Sequence, residues 1–340
     1  MEVFFLDVAQ GTCQVILLGG RRAIVVDCGI RRDKIVLQFL QRMKVESIDC
    51  LIISHGHEDH IGGAVGVLDA YQDRIAKFYC VRDHLLLSSV FWKRLRALCD
   101  SEKIASDRIC RIETLDRGLP KQIWDDPAIA AQLLIYSPTF PENMVADEDE
   151  TPNPTSGVLI LDVRGKRLIF AADSEVGQWR EIHRKAGKLN CDVLGVPHHA
   201  GRFHSDAADL KWFFDEAISA TVAVISAGTS NTHKHPRTDV VSAMKGQGTS
   251  ILCTQFTPQC NGNDRNLEFL RPGVLRPQVH LGRSSPIEDL TDAGYSRNVA
   301  CAGTVRVEIT SNGLNVDRLT EHQKAVDALA ARSSHCPLCR

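Results

Sequence analysis

The stretch that decides the fold is His55-Gly56-His57-Glu58-Asp59-His60, preceded by Cys50-Leu51-Ile52-Ile53-Ser54. Three histidines and an aspartate in one short loop are costly to place together unless they bind something. Imidazole nitrogens and carboxylate oxygens are the ligands that first-row metals take. The order H-x-H-x-D-H lets one tight turn aim two histidines at one ion and an Asp-His pair at a second. The run before it is apolar and β-prone. It predicts a buried strand with the ligands at its C-terminal end. Gly62-Gly63 follow and let the chain pack closely against that loop.

The same arrangement recurs along the chain. Val158–Val163 and Arg167–Ala171 flank Arg164-Gly165-Lys166, a hairpin signal that delivers Asp173. Asp192–Val196 is a short apolar strand ending at Pro197-His198-His199. Val222–Ser226 is another and leads through Gly228 to His235-Pro236. One histidine after a strand is ordinarily structural. Four metal-type sites at strand ends predict convergence on one edge of a sheet sandwich.

The early part alternates strands and helices. Val15–Leu18 and Ala23–Val26 pair around Gly19-Gly20-Arg21-Arg22, and residues 33–44 carry helical spacing through Ile35, Val36, Phe39, Leu40 and Met43. Residues 64–73 read as the next helix, and Phe91–Leu98 as a helix capping the site. Pro138 to Pro154 is rich in Pro and acid, including Asp147-Glu148-Asp149-Glu150, and reads as a surface loop.

Composition sets bounds. The 340 residues suffice for one large domain or two ordinary ones; 44% hydrophobic and 24% charged content match an ordinary soluble globular protein. A net charge of −2 gives no global pull toward nucleic acid or membrane. Met1–Asp7 opens as a strand without a basic segment or long apolar run, so no signal peptide or membrane span is expected. Many of the 12 cysteines sit inside apolar runs, which suits a reducing cytoplasmic setting.

These residues resemble the metallo-β-lactamase superfamily, with the closest likeness to the soluble domain of the DNA-uptake protein ComEC and its stand-alone relatives. The likeness runs over roughly residues 1–245. It is carried by Asp7-Val8-Ala9-Gln10-Gly11-Thr12-Cys13, Asp27-Cys28-Gly29, the hexapeptide, Asn153-Pro154-Thr155-Ser156, Ala172-Asp173, Val196-Pro197-His198-His199-Ala200-Gly201 and Lys234-His235-Pro236. Thr12 and Cys13 replace an acidic-small pair, which weakens any role for that early turn. Residues Asn153–Ser156 lack the single histidine that many superfamily members have there.

The resemblance implies a four-layer αββα sandwich, with residues 1–245 as the catalytic domain. It implies two divalent ions, zinc first and manganese second. His55 and His57 would hold one; Asp59, His60 and His235 the other; Asp173 would bridge. Water between such ions supplies hydroxide near neutrality. Of His198 and His199, one is expected to donate a proton and the other to be a ligand or a supporting group. Asp59 is a catalytic candidate as well as a ligand. Asp7, Asp27, Asn153 and Ser156 are expected to support the ligands from behind, and Arg202 is a candidate phosphate clamp.

Residues 246–340 leave this pattern and are expected to form an appended subdomain. Cys253, Cys260, Cys301, Cys336 and Cys339 are candidates for an additional structural zinc. Arg265, Arg271, Arg276, Arg283 and Arg297 are candidate nucleic-acid contacts. The expected activity is a metal-dependent phosphodiesterase or nuclease with a nucleic-acid or nucleotide substrate. The alternatives are hydrolysis of another ester, thioester or lactone, or a non-catalytic metal-binding partner subunit.

Overall fold

The computed structural model describes residues 1–30, 35–114, 120–140, 152–229, 232–261, 301–331 and 338–339. The acidic run 147–150, Cys336 and the five arginines from 265 to 297 lie outside the described residues.

Two sheets form the frame. The first uses β1 (Glu2–Phe5), β2 (Gln14–Leu18), β3 (Arg22–Val26), β4 (Ser47–Ile53), β5 (Ile75–Cys80) and β6 (Ile109–Arg111). The second uses β7 (Lys121–Asp126), β8 (Ala131–Ser137), β9 (Val158–Val163), β10 (Lys166–Phe170), β11 (Leu189–Gly195), β12 (Ile218–Ile225) and β13 (Ser250–Cys253). The late strands β14 (Val305–Thr310) and β15 (Gly313–Val316) return to the first sheet. Its order is β15-β14-β1-β2-β3-β4-β5-β6, and the second runs β13-β12-β11-β10-β9-β8-β7.

Side-chain alternation explains the layering. A strand points successive residues to opposite faces. Phe4, Val25, Leu51 and Ile53 meet the helices α1 (Ile35–Arg42), α3 (Ala64–Tyr71) and α5 (Val90–Asp100), while Val3, Phe5, Ile24 and Ile52 enter the core between the sheets. In the second sheet Leu159 and Leu161 face that inter-sheet core. Val158 and Ile160 face α6 (Val176–Ala186), α7 (Ala207–Trp212) and α8 (Thr238–Gly246). The result is helix, sheet, sheet, helix: the expected αββα sandwich. Two short helices, α2 (Glu58–Ile61) and α4 (His84–Ser88), lie at the strand-end edge.

The described parts of the segment beyond 245 add strands to both sheets. β13 pairs in parallel with β12, and β14 pairs antiparallel with β1. Val305, Val307 and Ile309 fill the inter-sheet core. Their alternation needs a covered face, and the first sheet supplies one beside β1. A final helix, α9 (Leu319–Ala330), packs near β13. Among the described residues no helix is long and apolar enough to cross a membrane.

Candidate metal centre

The strand-end loops bring the candidates together in two groups. His55, His57 and Asp173 form one, and Asp59, His60 and His199 the other; within each, the ligand atoms lie within 4.8 Å of one another. Asp173 faces both: its Oδ2 is 3.6 Å from His55 Nε2, and its Oδ1 is 3.1 Å from His60 Nε2 and 3.5 Å from His199 Nε2.

The hexapeptide reaches this edge because β4 ends at Ile53 and α2 starts at Glu58. Gly56 is dictated by its surroundings. A Cβ there would lie 2.2 Å from the Leu86 nitrogen and 2.5 Å from Asp83 Oδ1. Buried Asp83 caps α4, accepting from the Leu86 N–H at 2.7 Å, and also takes a hydrogen bond from the Gly56 backbone. It therefore ties the ligand loop to α4. Asp83 was not among the expected site residues, although it too follows an apolar strand.

Hydrogen bonds behind the ligands fix their tautomers. Asp27 is buried beneath the loop and accepts from the Ser54 N–H (2.8 Å), the Ser54 hydroxyl (2.7 Å) and the Thr12 hydroxyl (3.1 Å). His60 Nδ1 is 2.8 Å from Asp27 Oδ2. A proton shared there leaves Nε2 facing Asp173. The Ser54 hydroxyl, having given its hydrogen to Asp27, can only accept from His55 Nδ1 at 3.1 Å. That turns the His55 Nε2 lone pair toward the centre as well. Thr12, the departure expected to weaken the early turn, is an integral part of this support.

His198 and His199 are separated by backbone geometry. His198, His199 and Ala200 have φ of 50°, 54° and 58°, three consecutive left-handed residues without a glycine. Such conformations cost about 1–2 kcal/mol each. Three bonds hold them: His198 N–H to the Ala172 carbonyl (2.9 Å), Gly201 N–H to the His198 carbonyl (2.6 Å), and His199 Nδ1 to the Ser226 carbonyl (2.8 Å). A carbonyl only accepts, so His199 carries its proton on Nδ1 and offers Nε2 to the centre, 3.3 Å from Asp59 Oδ2. His198 is more open, with a side chain 22% exposed and Nε2 3.8 Å from Asp173 Oδ2.

His199 Nε2 joins the Asp59 and His60 ligand atoms within 4.8 Å, and His235, also expected near them, packs against this histidine. The His235 ring stacks on His199, with centroids 5.7 Å apart and planes 18° apart. Its Nε2 lies over Gly201, where a Cβ would be 2.5 Å away.

The remaining supports are placed as follows. Asp7 accepts from Gln255 Nε2 at 2.8 Å and from the Ala9 N–H at 3.2 Å, in the loop whose Thr12 N–H donates to the Asp59 carbonyl. Buried Asn153 and Ser156 sit in a turn joined to the end of β4 by the Gly157 N–H to Ser54 carbonyl bond.

The electrostatics fit a cation. Burial pulls His55 well below the usual imidazole range, and neighbouring His60 adds to this. Burial opposes the charge on His60, yet the Asp173 and Asp27 carboxylates outweigh it and hold its pKa well above the usual value. Burial would raise Asp173, but His60 and His199 hold it well below the usual carboxylate range. His60 Nε2, Asp173 Oδ1 and His199 Nε2 are buried without a hydrogen bond. His60 Nε2 and Asp173 Oδ1 are 3.1 Å apart but lack hydrogen-bond alignment, which suits two ligands converging on a shared ion. Nitrogen and carboxylate donors of this kind suit zinc or manganese.

At the other end of the chain, Cys253, Cys260 and Cys301 are buried, and Cys339 packs on the outer core that includes Cys253. Cys301 and Ala302 donate backbone bonds to Thr254 and Cys253. No described cysteine is in a disulfide. Among the described residues these thiols do not form a group of three within 4.8 Å.

Comparison with known proteins agrees with the geometry. Residues 6–95 match the model of the Metallo-beta-lactamase superfamily. It is 25% identical over 225 residues to ComE operon protein 3 of Bacillus subtilis, covering 65% of this chain and 25% of that protein. It is 25% identical over 268 residues to Recombination protein 2 of Haemophilus influenzae, covering 77% and 29%. The chain thus spans under a third of the length of either relative. Among solved structures, Igni18, a metallo hydrolase from Ignicoccus hospitalis, aligns with a TM-score of 0.46 and 15% identity over 74% of this chain and 95% of that one.

Proposed function

We propose that this protein is a phosphodiesterase that cleaves a nucleic acid or nucleotide with two divalent ions, zinc or manganese. The observation that carries this reading is the pair of three-donor groups with Asp173 facing both. A paired centre suits phosphodiester cleavage because attacking and leaving oxygens both need charge stabilisation. The name of one relative, Recombination protein 2, supports a nucleic-acid substrate.

His55, His57 and Asp173 would hold the first ion, and Asp59, His60 and His199, with Asp173 beside them, the second. When bound, the ions activate water and polarise the scissile group. Asp27, through Ser54 and His60, keeps the ligand lone pairs aimed inward. His198 is positioned at the mouth to hand a proton to the leaving oxygen. Asp59 would serve as a ligand beside His199, whose ring is oriented by the Ser226 carbonyl.

The test is a screen of purified protein, loaded with zinc or manganese, against single-stranded DNA, RNA, cyclic dinucleotides and a generic phosphodiester. Chelator-sensitive cleavage of one of them is expected. Turnover of carboxylic esters, thioesters or lactones alone would overturn the phosphodiesterase reading.

We further propose that the C-terminal thiols bind a structural zinc, with Cys253, Cys260, Cys301 and Cys339 as ligands drawn together by the ion. Cys301→Ser should lower zinc content by one per chain and lower Tm. Unchanged metal content and melting would refute the site.

A further inference from the structure

Residues that follow closely on Asp173 and His199 in sequence wall a concavity of about 430 Å³, among them Glu175, Gly177, Arg180, Arg202, His204 and Asp209. Its position follows from chain connectivity. Glu175 is two residues past Asp173, and Arg202 is three past His199. At 3.8 Å per residue, Arg202 Cα is at most about 11 Å from His199 Cα. The Val176 N–H to Phe203 carbonyl bond, at 2.9 Å, stitches the two segments together. A third site segment closes in: Asp239, four residues past His235, has its Oδ2 3.7 Å from His204 Nε2.

The pocket is built for an anion despite its mixed charge. Its two carboxylates are engaged internally. The Glu175 side chain caps α6 in a reciprocal pair with Gln178. Asp209 accepts from Arg180 (2.6 Å) and from the Ser205 N–H (3.1 Å). The arginines are held but not exhausted. Arg180 is fixed by Asp209 and by lying 4.4 Å over the Trp212 ring. Arg202 gives one bond to the Ser205 carbonyl at 3.1 Å. A guanidinium has five N–H donors in a planar fork, suited to phosphate. His204, 9% exposed, places in the wall a ring whose Nδ1 has no hydrogen-bond partner.

We infer that this pocket seats the nucleotide next to the scissile phosphodiester, with Arg202 and Arg180 on its phosphate. The inference rests on the phosphodiesterase reading and sharpens it: the substrate is a polynucleotide strand, rather than a lone cyclic nucleotide. The volume is in the range of a pocket for one nucleotide-sized unit. Arg202 has no described contact with the metal-site side chains, so its effect should fall on substrates long enough to reach it.

The test compares wild type, Arg202→Ala and Arg202→Lys on a single-stranded decanucleotide, as DNA and as RNA, and on bis(4-nitrophenyl) phosphate. The ratio of kcat/KM for the decamer to that for the small diester should fall about tenfold in Arg202→Ala, mainly through KM. Arg202→Lys should fall between. The slope of log affinity against log salt should lessen by about 0.7, the loss of one single-strand phosphate contact. An unchanged ratio would overturn the seat. A second readout is independent of turnover: anisotropy of the labelled decamer on protein stripped of metal. Weakened binding in Arg202→Ala upholds the seat even if wild type cleaves no diester, a result that would fell the phosphodiesterase reading alone. Unchanged binding overturns the seat.

Discussion

The two halves of the sandwich build the candidate metal centre in different ways. The first half supplies His55, His57, Asp59 and His60 from six consecutive residues on one loop after β4. The second supplies Asp173, His199 and His198 from loops after two different strands, β10 and β11. The first contribution is local: once β4 and α2 form, four donors are near one another. The second exists only when the second sheet has its strand order and lies against the first. Mutations in the first half should therefore remove ligands. Mutations in the second should separate functions.

The largest effect is expected at the group serving both halves. Asp173→Ala should abolish turnover and weaken both ion sites while leaving a folded protein, since the residue lies in a loop after β10. Activity retained in this variant would break the bridging assignment. Next comes the separation of His199 from His198. His199→Ala should lose metal from the Asp59–His60 group. His198→Ala should keep its metal and lose about 10²–10⁴-fold in rate, the usual contribution of a general acid. Metal analysis beside initial rates distinguishes them, and equal metal loss in both variants would contradict the division. A smaller effect is expected behind the ligands. Asp27→Asn should lower metal affinity or activity about 10–100-fold, measured by competition with a chelator; wild-type affinity and rate would remove Asp27 from the positioning role.

The smallest effect lies away from the site. His322 on α9 is 3% exposed, and burial lowers its pKa to about 4. In the unfolded chain a histidine titrates near 6.5. The folded state prefers the neutral ring, so this contribution is complete above pH 6.5 and is lost as pH falls toward 4. The loss reaches roughly 3 kcal/mol by the time the pH is below 4. His322→Leu should melt with a weaker pH dependence between pH 7 and 5 than wild type. Identical pH profiles would show that the ring is not buried as a neutral group.

This contrast also marks what was legible in the sequence. The hexapeptide and the pairing of β2 with β3 are local signals and could be read directly, whereas the role of Asp27 came only with the family resemblance. Which of His198 and His199 turns inward could not. That choice depends on three left-handed residues and on the Ser226 carbonyl, 27 positions away. The stacking of His235 on His199 is equally a product of the fold rather than of local sequence. The fate of the C-terminal segment was hidden by distance: β14 lies beside β1, with the Met1 carbonyl accepting from the Ile309 N–H. Alternation from Thr304 to Ile309 announces a strand but not its partner. Asp83 was overlooked, although the strand-then-acid pattern used for Asp173 applies to it.

The central claim is that two donor groups share Asp173. The most direct measurement is metal content per chain by elemental analysis after saturation with zinc and removal of free ion, for wild type and Asp173→Ala on a Cys301→Ser background. The account predicts close to two ions in the Asp173-containing protein and a marked loss at both sites in Asp173→Ala. Two ions retained in Asp173→Ala, or none in its parent, would contradict it.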